Sequence, residues 1–408
     1  MKPQIAIIVS KFPCYDEAFI LREIHALSKR MEITIFSLKD SKEKVLHDDA
    51  RELLPRTHYV PYLFSFRIFE AHLRALFTRP TDYFRALFRL IRGNLQSSEF
   101  LFKSLAFFPK SIYLAQWFKE KDIHHIHAYW ATYPASVALV ASEMTQIPFS
   151  FTGHAHDIYV DVTHLREKMA RATFISTCTQ KNKDYLLKTV APGFPEEKIL
   201  VQYHGLGLEQ FGVNGKKRNQ VFQILSVGTL HYYKGFNFLL HALTFLKKKR
   251  LDFHCTIVGG GPLRSDLGRH IQFLKLEDQV TMTGPLKQAE VIPYYKRSDI
   301  LVLMAQPEWH WGIPNVFIEA LAAKTPVITT RFGSVEELIR DGETGLIVPP
   351  KDPEALAQAI EKLYRDDVLR LRLAEAGHQE VTQRFDLDKN IQGFAQRFQN
   401  ATNAALVN

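Results

Sequence analysis

The sequence predicts an α/β protein of two doubly wound domains, each built on a parallel sheet. Three observations predict it. Strand-like and helix-like patterns alternate through nearly the whole chain. At 408 residues the chain is too long for one ordinary core, so two domains of roughly 200 residues each are expected. A polar, glycine-containing stretch at residues 212–219 breaks the apolar periodicity in the middle of the chain.

The first half opens with a strand at residues 5–9, a helix at 18–28 and a second strand at 33–37. Residues 60–120 read as helices, followed by a short strand at 124–128, a helix at 135–144 and strands at 149–152, 174–177 and 199–201. After the break a second series begins, with strand 221–227, helix 236–246 and strand 253–258. Helix 263–274, strand 280–283, helix 288–297 and strand 300–304 continue it. A helix containing Glu319 leads to strands at 326–330 and 345–348, then helices at 353–364 and 368–384. The expected domains are 1–212 and 213–385, with a tail at 386–408 whose helix crosses back to the first domain. In open sheets of this kind, ligands bind beyond the carboxyl ends of the strands, here in a cleft expected between the domains.

Composition narrows the function. A hydrophobic fraction of 46% with 23% charged residues is that of a soluble globular protein, and no run approaches the ~18 apolar residues of a membrane span. The apolar stretch near the N-terminus is too short for a signal peptide and reads as a buried strand. Three scattered cysteines, Cys14, Cys178 and Cys255, form no pairing or metal pattern and fit a reducing cytoplasm.

The net charge of +9 is uneven: residues 60–120 hold nine Lys or Arg against four Asp or Glu, in a stretch dense in Phe and Leu. Two readings stay open there. One is an amphipathic surface that lies on anionic membrane; the other is helices packed on the first domain with snorkelling Arg stems. Nucleic acid is not an expected partner, since no binding motif is present.

Three glycine-bearing loops follow strands of the second domain. Gly228, Thr229 and Leu230 lead to Lys234 and Gly235 at a helix start, where a cation adds to the helix dipole and suits a diphosphate. Gly259, Gly260 and Gly261 allow close backbone approach to a ligand, but the spacing of a dinucleotide fingerprint is absent. The third stretch runs through Trp311, Gly312, Ile313, Pro314 and Asn315 into the helix of Glu319, whose carboxylate can accept hydrogen bonds from sugar hydroxyls. In the first domain, His154, His156 and Asp157 end a strand, where an imidazole can meet a sugar hydroxyl or phosphate. With His127 near they raise the question of zinc, but spacing supplies no further ligand, and no metal is expected.

As an ordered set these motifs resemble the retaining glycosyltransferases of family four. The resemblance rests on Lys234-Gly235, the glycine turn, Thr283-Gly284, and Glu319-Ala320-Leu321-Ala322 followed by Pro326-Val327-Ile328. Gly333-Ser334-Val335-Glu336-Glu337 and Asp341-Gly342-Glu343-Thr344-Gly345 extend it. It is strong over residues 221–364 and looser before, where Phe12-Pro13, Glu17 to Ile24 and Phe151 to Ile158 look like the subset that builds bacterial surface polysaccharides.

The resemblance implies the GT-B fold of two facing Rossmann-like domains. It implies a nucleotide-sugar donor, UDP- or GDP-linked, on the second domain and a glycan or lipid-linked acceptor approached from the first, with no cofactor. By carry-over His154, Lys234 and Glu319 are the catalytic candidates, Glu319 taking the ribose hydroxyls and Lys234 the diphosphate. Thr229, Gly259, Gly260, Gly284, Leu286, Trp311, Gly312, Ile313 and Asn315 are expected around the donor. Glu17, His156 and Asp157 are expected on the acceptor side.

Two departures stand out. The family has a Glu eight residues before Glu319 where this chain has Trp311, and an Arg where it has Thr229. Glu308 can replace the first only if its loop folds back. These departures motivate an alternative, a catalytically silent nucleotide-sugar-binding partner in a polysaccharide assembly complex. A nicotinamide-dependent oxidoreductase is a further rival, disfavoured by the missing fingerprint.

Overall fold

The computed structural model describes residues 3–14, 17–41, 48–162, 164–212, 220–309 and 312–407. The chain divides into two compact units, Met1–His204 with Leu387–Asn408, and Gly205–Asp386. The polar break read in the sequence lies, from residue 213 on, outside the described residues.

In the first unit the chain forms β1 (Gln4–Lys11), α1 (Ala18–Ser28), β2 (Glu32–Lys39), α2 (Asp48–Leu53) and β3 (Thr57–Tyr59). Three helices follow, α3 (Phe66–Thr78), α4 (Pro80–Asn94) and α5 (Ser98–Glu120), then β4 (His125–Tyr129) and α6 (Tyr133–Thr145). The series continues with β5 (Phe149–Gly153), α7 (His156–Tyr159), α8 (Leu165–Arg171), β6 (Ile175–Thr177), α9 (Gln180–Tyr185) and β7 (Ile199–Val201). Among the described residues these strands make one seven-stranded sheet in the order β3-β2-β1-β4-β5-β6-β7, with each pairing parallel.

β1 explains why its sequence is apolar throughout. Ala6 and Ile8 face one buried layer with α5 and α6. Ile5, Ile7 and Val9 face the other, with α1. A parallel sheet covered on both sides leaves no polar face to alternate. The second layer is closed by the last helix, since Ile391, Phe394 and Phe398 join it. His125 and His127 point into this core as well. Their rings bond to Ser150 Oγ at 2.7 and 2.8 Å, and the second His127 nitrogen to Thr152 Oγ1 at 3.0 Å. Burial holds the His125 pKa down to about 3, so both are neutral core residues. His127 is therefore not a partner for His154 and His156 in a metal site.

The second unit runs β8 (Phe222–Val227), α10 (Phe236–Lys248), β9 (Phe253–Val258), α11 (Arg264–Phe273), β10 (Val280–Gly284) and α12 (Gln288–Arg297). It continues with β11 (Ile300–Leu303), α13 (Asn315–Ala322), β12 (Val327–Thr330), β13 (Gly345–Val348), α14 (Pro353–Arg365) and α15 (Asp367–Arg384). Its described strands form a six-stranded sheet in the order β10-β9-β8-β11-β12-β13, parallel throughout. Asp352 caps α14 through Ala355 N at 2.9 Å and Asp366 caps α15 through Leu369 N at 2.8 Å, which starts both helices sharply. The chain then returns to the first unit as α16 (Leu387–Val407).

In both sheets the strand order reverses once, between β1 and β4 and between β8 and β11. The crevice beyond such a reversal is where doubly wound folds hold ligands.

Candidate active site

In the second unit the loops after β8, β9 and β10 are stitched backbone to backbone. Gly228 N donates to Val258 O at 3.0 Å, Leu230 N to Gly260 O at 2.8 Å, and Gly259 N to Gly284 O at 3.0 Å. This packing needs glycine. At Gly259, with φ of +151°, a Cβ would lie 1.9 Å from Gly228 O. At Gly235, with φ of +70°, it would lie 2.0 Å from Met304 O. The second contact matters most, because it presses the turn after Lys234 onto the end of β11. Gln306 N adds a bond to Tyr233 O at 2.9 Å. The Lys234 loop and the segment leading to α13 thus touch at the reversal point.

Lys234 folds its stem toward Gly228, with Nζ 5.5 Å from the Tyr233 ring centre. Burial lowers its pKa to about 8, which leaves a cation poor in hydration and suited to an anionic ligand. Thr229 is exposed, and Gly259, Gly260 and Leu286 are half-buried while Gly284 is buried. Gly312, Ile313 and Asn315 are half-buried at the entry to α13, which has no side-chain cap. Pro314 occupies the cap position without an N–H to offer. Trp311 lies outside the described residues.

Glu319 is 8% exposed. Its carboxylate accepts from Gln288 Nε2 at 2.7 Å and from Tyr295 OH at 2.8 Å, both on α12. α12 begins just beyond the Gly284–Leu286 loop, so that loop and the Glu319 carboxylate are held by one element. Burial and the Glu319 charge push the Tyr295 pKa well up, so the phenol stays a donor. Glu308 is exposed and paired with Lys351 at 3.2 Å, so it does not fold back to replace the missing family Glu. A cation unmarked in the sequence reading sits nearby. The Arg264 guanidinium packs against Gly284, where a Cβ would be 3.4 Å from its nitrogen.

The first unit gathers a different constellation at its own reversal point. His154 ends β5 and is 5% exposed. Its ring lies 4.4 Å from Trp130, 5.1 Å from Phe19 and 5.4 Å from His204, the last nearly parallel. Neither ring nitrogen has a hydrogen-bond partner among the described residues. Burial, with His204 and His127 nearby, holds its pKa well down, so the imidazole is neutral and able to exchange hydrogen bonds with a ligand. Trp130 has φ of +81°, a costly conformation for a bulky residue, and one that collects at functional sites.

Phe19, Glu23, Trp130 and His204 were not chosen as site residues from the sequence. His204 Nδ1 lies 2.9 Å from Glu23 Oε1. Burial alone would lower the His204 pKa, but Cys178 and Glu23 override it and push it up to about 10. A cation therefore stacks beside His154 and keeps it unprotonated.

Asp157 corrects the acceptor-side reading. It is fully buried, and its oxygens accept from Ala131 N at 2.6 Å and His154 N at 2.8 Å. Burial raises its pKa to about 6 against those bonds. It positions the loops rather than facing an acceptor. Lys168, also buried, clamps the same loop through Ala131 O at 2.7 Å and Thr132 O at 3.0 Å. His156 is exposed at the start of α7, and Glu17 is half-buried just before α1.

Two doubly wound units of this kind define the fold class of GT-B transferases. Residues 209–380 match the family described as glycosyl transferases group 1. It is 26% identical over 309 residues to the putative teichuronic acid biosynthesis glycosyltransferase TuaC of Bacillus subtilis (strain 168), covering 71% of this chain and 74% of that one. Over 203 residues it is 31% identical to the amylovoran biosynthesis glycosyltransferase AmsK of Erwinia amylovora, covering 49% of this chain and 50% of that one. Among solved structures, Anabaena Alr3699/HepE in complex with UDP superposes with a TM-score of 0.69 at 16% identity, covering 98% of this chain and 100% of that one. Among the described residues no helix is long and apolar enough to cross a membrane.

Proposed function

We propose that this chain moves a sugar, with retention at the anomeric carbon, from a nucleoside-diphosphate sugar to a hydroxyl of a glycan or lipid-linked acceptor. The setting we propose is bacterial exopolysaccharide, capsule or lipopolysaccharide synthesis, at the cytoplasmic face of the cell membrane. The observation that carries the reading is the meeting of the Lys234 turn and the α13 segment at the β8–β11 reversal. The HepE structures hold UDP and UDP-glucose, and we read that donor class onto the second unit. The relatives' polysaccharide roles support the setting.

In this reading the glycosidic C–O bond breaks and its electron pair leaves with the nucleoside diphosphate. Lys234, Arg264 and the backbone N–H groups of the glycine loops stabilise the developing charge. Glu319, oriented by Gln288 and Tyr295, fastens the ribose. The acceptor oxygen bonds to the anomeric carbon on the same face, and its proton passes to the departing phosphate. His154, on the first unit, can exchange hydrogen bonds with a sugar hydroxyl or phosphate as a neutral imidazole.

Products from a panel of UDP- and GDP-sugars, mixed with free and lipid-linked oligosaccharides, are read by mass spectrometry. Lys234→Ala should lower turnover by roughly 10²–10³-fold, the size expected for removing a stabiliser of transition-state charge. Glu319→Ala should weaken donor use by roughly tenfold or more. Wild-type turnover from both variants excludes the assignment.

A second reading has a specific observation behind it. Glu308 is committed to Lys351, so the family's second carboxylate has no substitute there. That favours a partner which binds nucleotide sugar without turning it over. Calorimetric binding with no product from any donor would establish it.

A further inference from the structure

We infer that the outward faces of α3 and α4 form a docking surface for a bilayer rich in anionic phospholipid. The inference deepens the membrane location proposed above, and it stands on observations separate from the sugar-transfer site.

Surface helices normally turn their large apolar side chains inward. α3 does the reverse. Its buried face is Ile68, Ala71 and Ala75, while Phe66, Phe69, Leu73 and Phe77 are exposed, Phe77 by 84%. These four recur at helical spacing and make one stripe. α4 repeats the inversion. Ala86 and Leu90 are buried, and Phe84 and Phe88 are exposed, Phe88 by 65%. Phe64, in the lead-in to α3, is fully exposed.

Single exposed apolar residues are ordinary, but stripes on two neighbouring helices are the mark of an interaction surface. Packing within the fold does not account for them, because Ile68, Ala71, Ala75, Ala86 and Leu90 already fill the inner faces.

Charge selects the partner. Residues 60–120 carry nine basic and four acidic residues, an excess of five within a chain whose net charge is +9. Arg67 on α3 and Arg85 and Arg92 on α4 are exposed beside the stripes. On the flank of α3 a cavity of about 230 Å³ is lined by Arg74, Arg79 and Lys119, with Glu120 paired to Arg74 at 3.1 Å. Burial and the Arg79 charge lower the Lys119 pKa against the pull of Asp82, which pairs with Arg79 at 3.7 Å. Aromatic side chains enter the acyl boundary while Arg and Lys meet phosphate headgroups, the arrangement of helices that lie in a membrane interface. A second copy of this chain would bring like charge against like.

The full chain is sedimented, without donor, with vesicles of phosphatidylcholine alone or with phosphatidylglycerol added. We expect binding to the anionic vesicles at least roughly tenfold stronger than to the neutral ones, weakening with salt. The double substitution Phe69→Ser and Phe77→Ser, with thermal melting as the check on folding, should lower that binding by roughly tenfold or more. Arg67→Gln with Arg92→Gln should shrink the preference for anionic vesicles. No sedimentation with anionic vesicles overturns the proposal, as does undiminished binding by the Phe variant. A dimer in analytical ultracentrifugation that the Phe substitutions dissolve also overturns it, by making the face a protein interface. Failure of the sugar-transfer reading would show in the product assay and leave this result untouched.

Discussion

The two reversal points solve the same problem with different materials. Beyond β8 and β11 the candidate site is made largely of backbone, with three glycine loops sewn together and Lys234, Arg264 and Glu319 as charged side chains near them. Beyond β1 and β4 it is made of rings and a buried ion pair, with Phe19, Trp130, His154 and His204 packed face and edge and His204 paired to Glu23. A backbone site suits a ligand part common to many donors, since N–H groups recognise phosphate whatever sugar it bears. A side-chain site can be re-cut residue by residue without disturbing the sheet, and that suits whatever the first unit must distinguish.

The largest expected effect breaks the ring site through its ion pair. His204→Gln leaves Glu23 a buried charge without its cation and should cost roughly 3 kcal/mol of stability. The effect carries a pH signature. Because the His204 pKa is raised to about 10, its contribution is complete below its ordinary value near 6.5 and is lost as pH rises toward 10. Denaturation between those limits should show a decline in wild-type stability relative to the variant, which lacks this contribution.

Smaller is the effect of Gly259→Ala on the backbone site. The added Cβ would collide with Gly228 O, which should cost roughly 1–3 kcal/mol and loosen all three loops. Nucleotide binding should weaken with it. Unchanged melting and unchanged affinity would mean that the loops are not interlocked as described.

Last comes titration of Lys234. Affinity for a nucleoside diphosphate, measured by calorimetry, should fall as pH rises through about 8. Above that point binding must take up a proton, and the loss approaches tenfold per unit, ~1.4 kcal/mol. Lys234→Ala should abolish the dependence.

The contrast also decides what could be read in advance. That Lys234 and Gly259 stand in loops after strands, and Glu319 on the helix after β11, was legible in local order: strand, glycine, helix. The parallel sheets were legible for the same reason, in the alternation of strand and helix patterns. β3 was not, since Thr57, His58 and Tyr59 form a three-residue edge with little buried. Glu23 and His204 lie 181 positions apart, and nothing local to either announces the pair. Asp157 was read as facing a ligand because it stands beside His154, and only the structure shows its carboxylate given to two backbone N–H groups. Arg264 lies three residues after the last glycine of the turn, so its position was a usable signal that went unused.

The placement of α16 has a consequence for how the molecule is born. Phe394 and Phe398 of that helix press on His127, and Phe398 on His125 as well. Yet the ribosome makes them only after the whole of the second unit. During synthesis the second unit has all its parts and can complete itself. The first unit must wait with one flank of its sheet only partly covered, by α1, until the final helix emerges.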